Sequence, residues 1–242
     1  MEAWIVAALV AAGAVYCWHR WRQLARAQFI RGYTFPHGLF DKVRAKRPQL
    51  DTKELQLVAR GLRQFFLAYL NGGQRYVSMP SQVADDLWHE FILYTRHYDT
   101  FCGRAFGGFL HHTPAVVLSR AGRKQEHNAG LRRVWWHACK EENINPRAAT
   151  RLPLLFALDA KLGIADGFVY AADCKSRRAA ELGAAGGVVN CGGDFCDDSF
   201  DGSTDGFGDS TFGDASADST SGCGGGSGCG GDGGCGGGCG GD

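Results

Sequence analysis

The chain has 242 residues and a formal net charge of +1, enough for one domain of ordinary size with appendages. That near-neutral total hides an asymmetry: residues 1–181 carry all 26 Lys and Arg against 15 acids, or +11, while ten Asp and no Lys or Arg follow Glu181. A basic body with an acidic tail suits anionic partners, but no aromatic–basic module of the known nucleic-acid readers is present, so nucleic acid is not an expected partner.

Residues 3–18 (AWIVAALVAAGAVYCW) contain no charge. As a helix they would span roughly 24 Å at ~1.5 Å per residue, against a hydrocarbon core of ~30 Å. Trp4 at one end, Trp18 and Trp21 at the other, and the following Arg20, Arg22 and Arg26 match interfacial anchors with snorkelling cations. A secretory leader would begin with positive charge, whereas this chain begins Met1-Glu2. The expectation is a single transmembrane anchor over residues 1–22, in contact with lipid through residues 3–18. By the positive flank, the body would lie in the cytoplasm.

The helix is expected to run on through HRWRQLARAQF and to stop at Gly32, Pro36 and Gly38. Residues 50–70 read as an amphipathic helix. Asp51 and Glu54 have the spacing of a capping box, with Asp in place of Ser or Thr. Leu55, Val58, Leu62, Phe65, Phe66 and Tyr69 recur at three- and four-residue intervals. Asn71-Gly72-Gly73 ends it. Pro80 and Ser81 open a third helix, expected as one piece over residues 81–106, whose apolar face is Val83, Leu87, Phe91, Tyr94, Tyr98 and Phe101.

The third helix carries the chemistry. Asp85 and His89 are four apart and share a helix face; Asp86, three from His89, is the alternative carboxylate. A carboxylate beside an imidazole fixes its tautomer and raises its basicity, which serves either a metal ligand or a general base. In a straight helix Cys102 lies roughly 20 Å from His89, too far to share an ion. His111 and His112 follow a Gly107-Gly108 break that lets the chain fold back toward either residue. The candidate polar site is Asp85, Trp88, His89, Tyr98, Cys102, His111 and His112, with His89, His111 and His112 as the candidate metal ligands. Zinc is the ion such a set accepts. The sequence demands no cofactor: the body lacks both a CxxC pair and an HExxH motif. The plainer reading of each part is a helix-surface ion pair, a small buried Cys and a solvated histidine doublet.

The run Asp85-x-x-Trp88-His89-x-x-x-Leu93-x-x-x-x-Tyr98-x-x-x-Cys102, followed by a Gly-rich turn and His111-His112, resembles the core motif of the glycine-rich domain-containing protein family. It departs from plant members at Phe91, where they carry a second histidine, and at Tyr94-Thr95, where they carry His-Pro. The resemblance implies a helical domain without a settled activity.

Residues 113–119 are short and apolar, and residues 120–126 read as a basic, solvated connection. Residues 128–142 follow as a helix with Asn128 as N-cap; its Leu131, Val134, Trp135 and Ala138 pack, and His137 is expected on its surface. Asn145-Pro146 marks a turn. Residues 152–162 form a further helix with Pro153 in the first turn and Gly163 at its end. Cys102, Cys139 and Cys174 are the body cysteines, expected as thiols in a cytoplasmic body. From Gly183 the chain is Gly, Asp, Ser and Cys with little to bury, so residues 183–242 are expected to be disordered. Cys223, Cys229, Cys235 and Cys239 are quasi-regularly spaced; the tail offers a route to a protein partner.

Together these readings predict an all-α bundle of about five helices, residues 30–178, behind a transmembrane helix and ahead of a disordered Gly/Asp/Cys-rich tail. The leading functional expectation is a membrane-anchored helical binding or scaffold protein. The alternative is a metal-dependent or acid–base enzyme using Asp85, His89 and the His111-His112 pair.

Overall fold

The computed structural model describes residues 2–112, 124–172 and 189–191, all within one compact unit, Met1–Asp209. The described residues form seven α-helices: α1 Glu2–Arg31, α2 Leu39–Lys46, α3 Thr52–Asn71, α4 Gln82–Leu93, α5 Thr95–Ala105, α6 Lys124–Glu141 and α7 Leu154–Lys161. Two three-residue strands, β1 Val169–Ala171 and β2 Val189–Cys191, pair in parallel, with Tyr170 opposite Asn190.

The architecture is built around α3, which packs against α1, α4, α6 and α7. Its N-terminus forms as the spacing predicts. The Asp51 carboxylate accepts from the Glu54 N–H at 2.6 Å, and Glu54 accepts from the Asp51 N–H at 2.7 Å. Beyond the cap the helix buries Leu55, Val58, Leu62, Phe65, Phe66 and Leu70. Phe66 meets the rings of Phe65, Trp88, Phe101 and Phe106, so truncating it to Ala would cost about 3–5 kcal/mol. Gly61 permits the close approach of α7, because a Cβ there would collide with Leu158 Cδ1.

No helix among the described residues is long and apolar enough to cross a membrane. This overturns the single-pass anchor over residues 1–22, the lipid contact through residues 3–18 and the cytoplasmic placement derived from it. The physical reason lies in the length: the uncharged run is residues 3–18, and Arg20 and Arg22 follow within the same helix, so the apolar part is shorter than the hydrocarbon core. α1 instead continues into the core, where Ala27 and Ile30 are buried, Phe29 meets Phe101 at 5.8 Å, and Arg31 grips Glu141 of α6 with two 2.8 Å bonds.

The expected single helix over 81–106 is two. Tyr94 breaks it with φ −79° and ψ 58°. Seven residues of straight helix would separate Phe91 and Tyr98 by roughly 10 Å along the axis; the bend brings their ring centroids to 5.2 Å, edge to face. The buried aromatic contact outweighs the continuity of local hydrogen bonds.

The mostly helical expectation holds, with one small sheet added. β2 lies inside the stretch read as wholly disordered from residue 183, and Val189–Cys191 pairs with β1. The remainder of the tail expectation, including Cys223, Cys229, Cys235 and Cys239, falls outside the described residues, as do residues 113–123 and Cys174. α6 begins at Lys124, ahead of the expected cap at Asn128.

Candidate functional site

The site begins with the way α4 starts. Ser81 is its N-cap and accepts from the Ala84 N–H at 3.3 Å. The buried carboxylate of Asp159, from α7, then completes the cap from outside. It accepts from Ser81 Oγ at 2.7 Å, from the Gln82 N–H at 2.7 Å, from the Val83 N–H at 3.2 Å and from the Phe168 N–H at 2.9 Å. A carboxylate bound to several helix N-terminal amides satisfies donors that the helix itself leaves unpaired. The result is a fixed helix origin one turn below Asp85.

Asp85 stands in the first turn of α4, and its carboxylate lies between two imidazoles. Oδ1 is 2.9 Å from His112 Nε2, and Oδ2 is 3.2 Å from His89 Nδ1. His89 Nδ1 is also 3.0 Å from the Asp85 carbonyl oxygen. The two imidazole centroids are 4.2 Å apart. One ligand atom from each of Asp85, His89 and His112 lies within 4.8 Å of the others. Around a zinc ion with bonds of ~2.0–2.1 Å, tetrahedral ligand atoms lie roughly 3.3 Å apart, so small side-chain adjustments close the set.

Asp86 is not the partner of His89. It is held by Arg47, whose Nη2 lies 2.8 Å from Asp86 Oδ2, and Arg47 also engages Asp166. These bonds to Asp166 and Asp86 outweigh burial and raise the Arg47 guanidinium. Glu90 pairs with Lys46 at 2.7 Å. The neighbouring acids of α4 are thereby committed, and Asp85 alone faces the histidines.

Trp88 and Tyr98 act behind this set. Trp88 packs edge-on against His112, with centroids 4.6 Å apart. Its indole Nε1–H donates to the Tyr98 hydroxyl at 3.1 Å, and Tyr98 donates to the Leu110 carbonyl at 2.6 Å. That chain ties the segment carrying His112 to α4 and α5. Tyr98 is buried, and burial with the nearby Cys102 pushes its hydroxyl well above the usual range, so it stays a neutral donor.

Of the three ligands expected from the sequence, His89 and His112 converge and His111 does not. The His111 ring lies 4.9 Å from Phe109 and lines a neighbouring cleft. Successive residues of extended chain point to opposite sides, so only one member of the doublet can face Asp85. Cys102 is buried apart from the cluster, and burial raises its thiol. It therefore serves as a core residue. His137 is half-buried rather than on the surface, and burial followed by the charge of Arg133 pushes it down to about 4.

The cleft has a volume of about 400 Å³, the size of small-molecule sites. Asp85, His111 and His112 are among its lining residues, with Trp88, Tyr69 and Phe168 among its apolar walls. His89, whose side chain is 45 % exposed, closes the cluster from the solvent side. An Asp carboxylate between two imidazoles at a cleft rim has the donor set of N/O transition-metal sites, and equally that of an oriented acid–base pair.

A family model described as UCP032817-like matches residues 25–195. The chain belongs to the UCP032817-like family. No curated protein and no solved structure matches it. The UCP032817-like match contains every residue of the cluster and its supports, from Arg47 to Asp159. Sequence reasoning missed Asp159 and Arg47 in these roles, because their partners lie far along the chain and leave no local spacing signal.

Proposed function

We propose that this UCP032817-like protein is a metal-dependent enzyme that holds one zinc-like ion through Asp85, His89 and His112. The single observation carrying this reading is the convergence of those three donors at the rim of the 400 Å³ cleft. When bound, such an ion would polarise a substrate oxygen or activate a water for hydrolytic chemistry. Asp85, His89 and His112 would hold the ion, each through one ligand atom. The Trp88–Tyr98–Leu110 hydrogen-bond chain anchors the backbone two residues before His112, and Trp88 packs against its ring. His111, on the cleft wall, is placed to exchange a proton with substrate. Kinship with the glycine-rich domain-containing proteins belongs to the same proposal, since the shared run supplies Asp85, Trp88 and His89.

The test is the zinc content of the full-length protein beside His112→Ala and Asp85→Ala, together with turnover of an activated ester. Cysteines elsewhere in the chain contribute equally to all three, so the difference isolates the cluster. One equivalent lost in each variant, with turnover lost in parallel and folding retained, supports the proposal. Equal zinc in all three contradicts it.

A second reading, a helical binding protein without catalysis, is favoured by one observation. Trp4, Ile5, Leu9, Val10 and Trp21 of α1 are all more than half exposed, an apolar surface suited to a partner. Zinc content unchanged by the cluster variants would leave this second reading in place.

A further inference from the structure

A second groove, of about 620 Å³, lies among α3, α6, α7 and the end of α1. Its two acids are committed. Glu141 holds Arg31. Glu142 accepts from the Leu154 N–H at 2.6 Å, from Gln64 Nε2 at 2.9 Å and from Arg151. Burial opposes ionisation of Glu142, but these bonds together win and hold its carboxyl below the usual range.

Three cations remain on the groove wall: Arg60, Arg63 and Lys161. Among the described residues, Arg60 and Lys161 have no hydrogen-bond or ion-pair partner. Arg63 is half-buried and fixed in place, with Nε and Nη2 donating to the Tyr33 carbonyl at 3.0 and 2.7 Å and its guanidinium 5.2 Å from the Phe35 ring. Among the described residues, its one hydrogen-bond acceptor, the Tyr33 carbonyl, is neutral. Burial, then the like charge of Arg60, lowers its basicity. A half-buried cation held against a second cation is costly until an anion joins it. Leu57, Leu67 and Leu154 supply an apolar floor.

We propose that this groove binds a phosphate monoester with an apolar body, the dianion held by Arg60, Arg63 and Lys161 and the body laid on the leucine floor. A monocarboxylate would leave two of the three cations uncompensated, whereas a phosphate dianion offers enough charge and oxygens for the Arg60 fork, the Arg63 N–H groups not spent on Tyr33 and the Lys161 ammonium. The volume suits a small molecule. This site is separate from the Asp85, His89 and His112 cluster and does not depend on it.

Calorimetric titration of the full-length protein at physiological salt, with phenyl phosphate as the probe, tests the proposal. Phenyl phosphate should bind saturably. Benzoate and inorganic phosphate should each bind about tenfold more weakly, the first lacking a charge and the second the apolar body. Arg60→Gln and Lys161→Gln, both at exposed positions, should each weaken phenyl phosphate about tenfold with unchanged melting temperature. Asp85→Ala should leave its affinity unchanged. Absence of saturable binding, equal affinity for the three probes, indifference to Arg60→Gln and Lys161→Gln, or loss on Asp85→Ala would each overturn it.

Discussion

Two aspartates flank the beginning of α4 and do opposite things. Below the helix, Asp159 is buried and accepts four hydrogen bonds from a serine hydroxyl and three backbone amides. One turn up, Asp85 is half-buried, and the side chains its carboxylate meets are two imidazoles. The first carboxylate has fixed partners and no exposed face, so it holds structure. The second has partners that are themselves metal ligands and bases, and it stands at a cleft rim. Burial and partner type, rather than residue type, separate a structural acid from a functional one.

The largest effect should follow from removing the structural member. Asp159→Ala leaves two backbone amides of the α4 cap, and that of Phe168, without their acceptor, and the expected loss is about 3–5 kcal/mol, read from urea denaturation. Asp85→Ala should cost under about 1 kcal/mol by the same measurement. Similar losses for the two would erase the contrast.

A pH titration sharpens the point with a second group half-buried in the body. His137 is pushed down to about 4 by burial, so the folded state prefers its neutral form. Above about pH 6.5 it is neutral in both states and contributes nothing to pH dependence. As pH falls from about 6.5 toward 4, the unfolded chain binds a proton that the folded chain refuses, and up to about 3 kcal/mol of stability is lost. The difference in stability between wild type and His137→Asn should therefore vary with pH across that window, and a constant difference would refute it.

Tyr98→Phe should cost about 1–2 kcal/mol, because it removes the acceptor for Trp88 and the donor to Leu110. The same change should weaken zinc binding about tenfold if that chain supports His112, as read by competition with a chromophoric chelator. A modest effect is expected at Asp51, a cap like Asp159 but exposed. Asp51→Ala should cost about 1 kcal/mol, well short of Asp159→Ala.

These contrasts also show what was legible in the sequence. Local patterns were: the α3 stripe, the Asp51–Glu54 box, Ser81 as the start of α4, and Asp85 with His89 on one helix face. All depend on spacings of three or four residues, which backbone geometry dictates. What depended on distant chain was not legible. Asp159 caps a helix that begins 77 residues earlier, and Tyr94 yields its helical geometry to an aromatic contact made possible only by the folded core. The choice of His112 over His111 rests on the path of the chain after Gly107-Gly108. The N-terminal run misled because its composition resembles an anchor, while its apolar length falls short and its helix continues into the domain through Ala27 and Ile30.

X-ray absorption at the zinc edge, on full-length protein carrying one equivalent of zinc, tests the central claim most directly. The account predicts a first shell of nitrogen and oxygen at about 2.0–2.1 Å with the outer scattering of two imidazoles, lost in His112→Ala. A shell of sulfur at about 2.3 Å, unchanged in that variant, would contradict it.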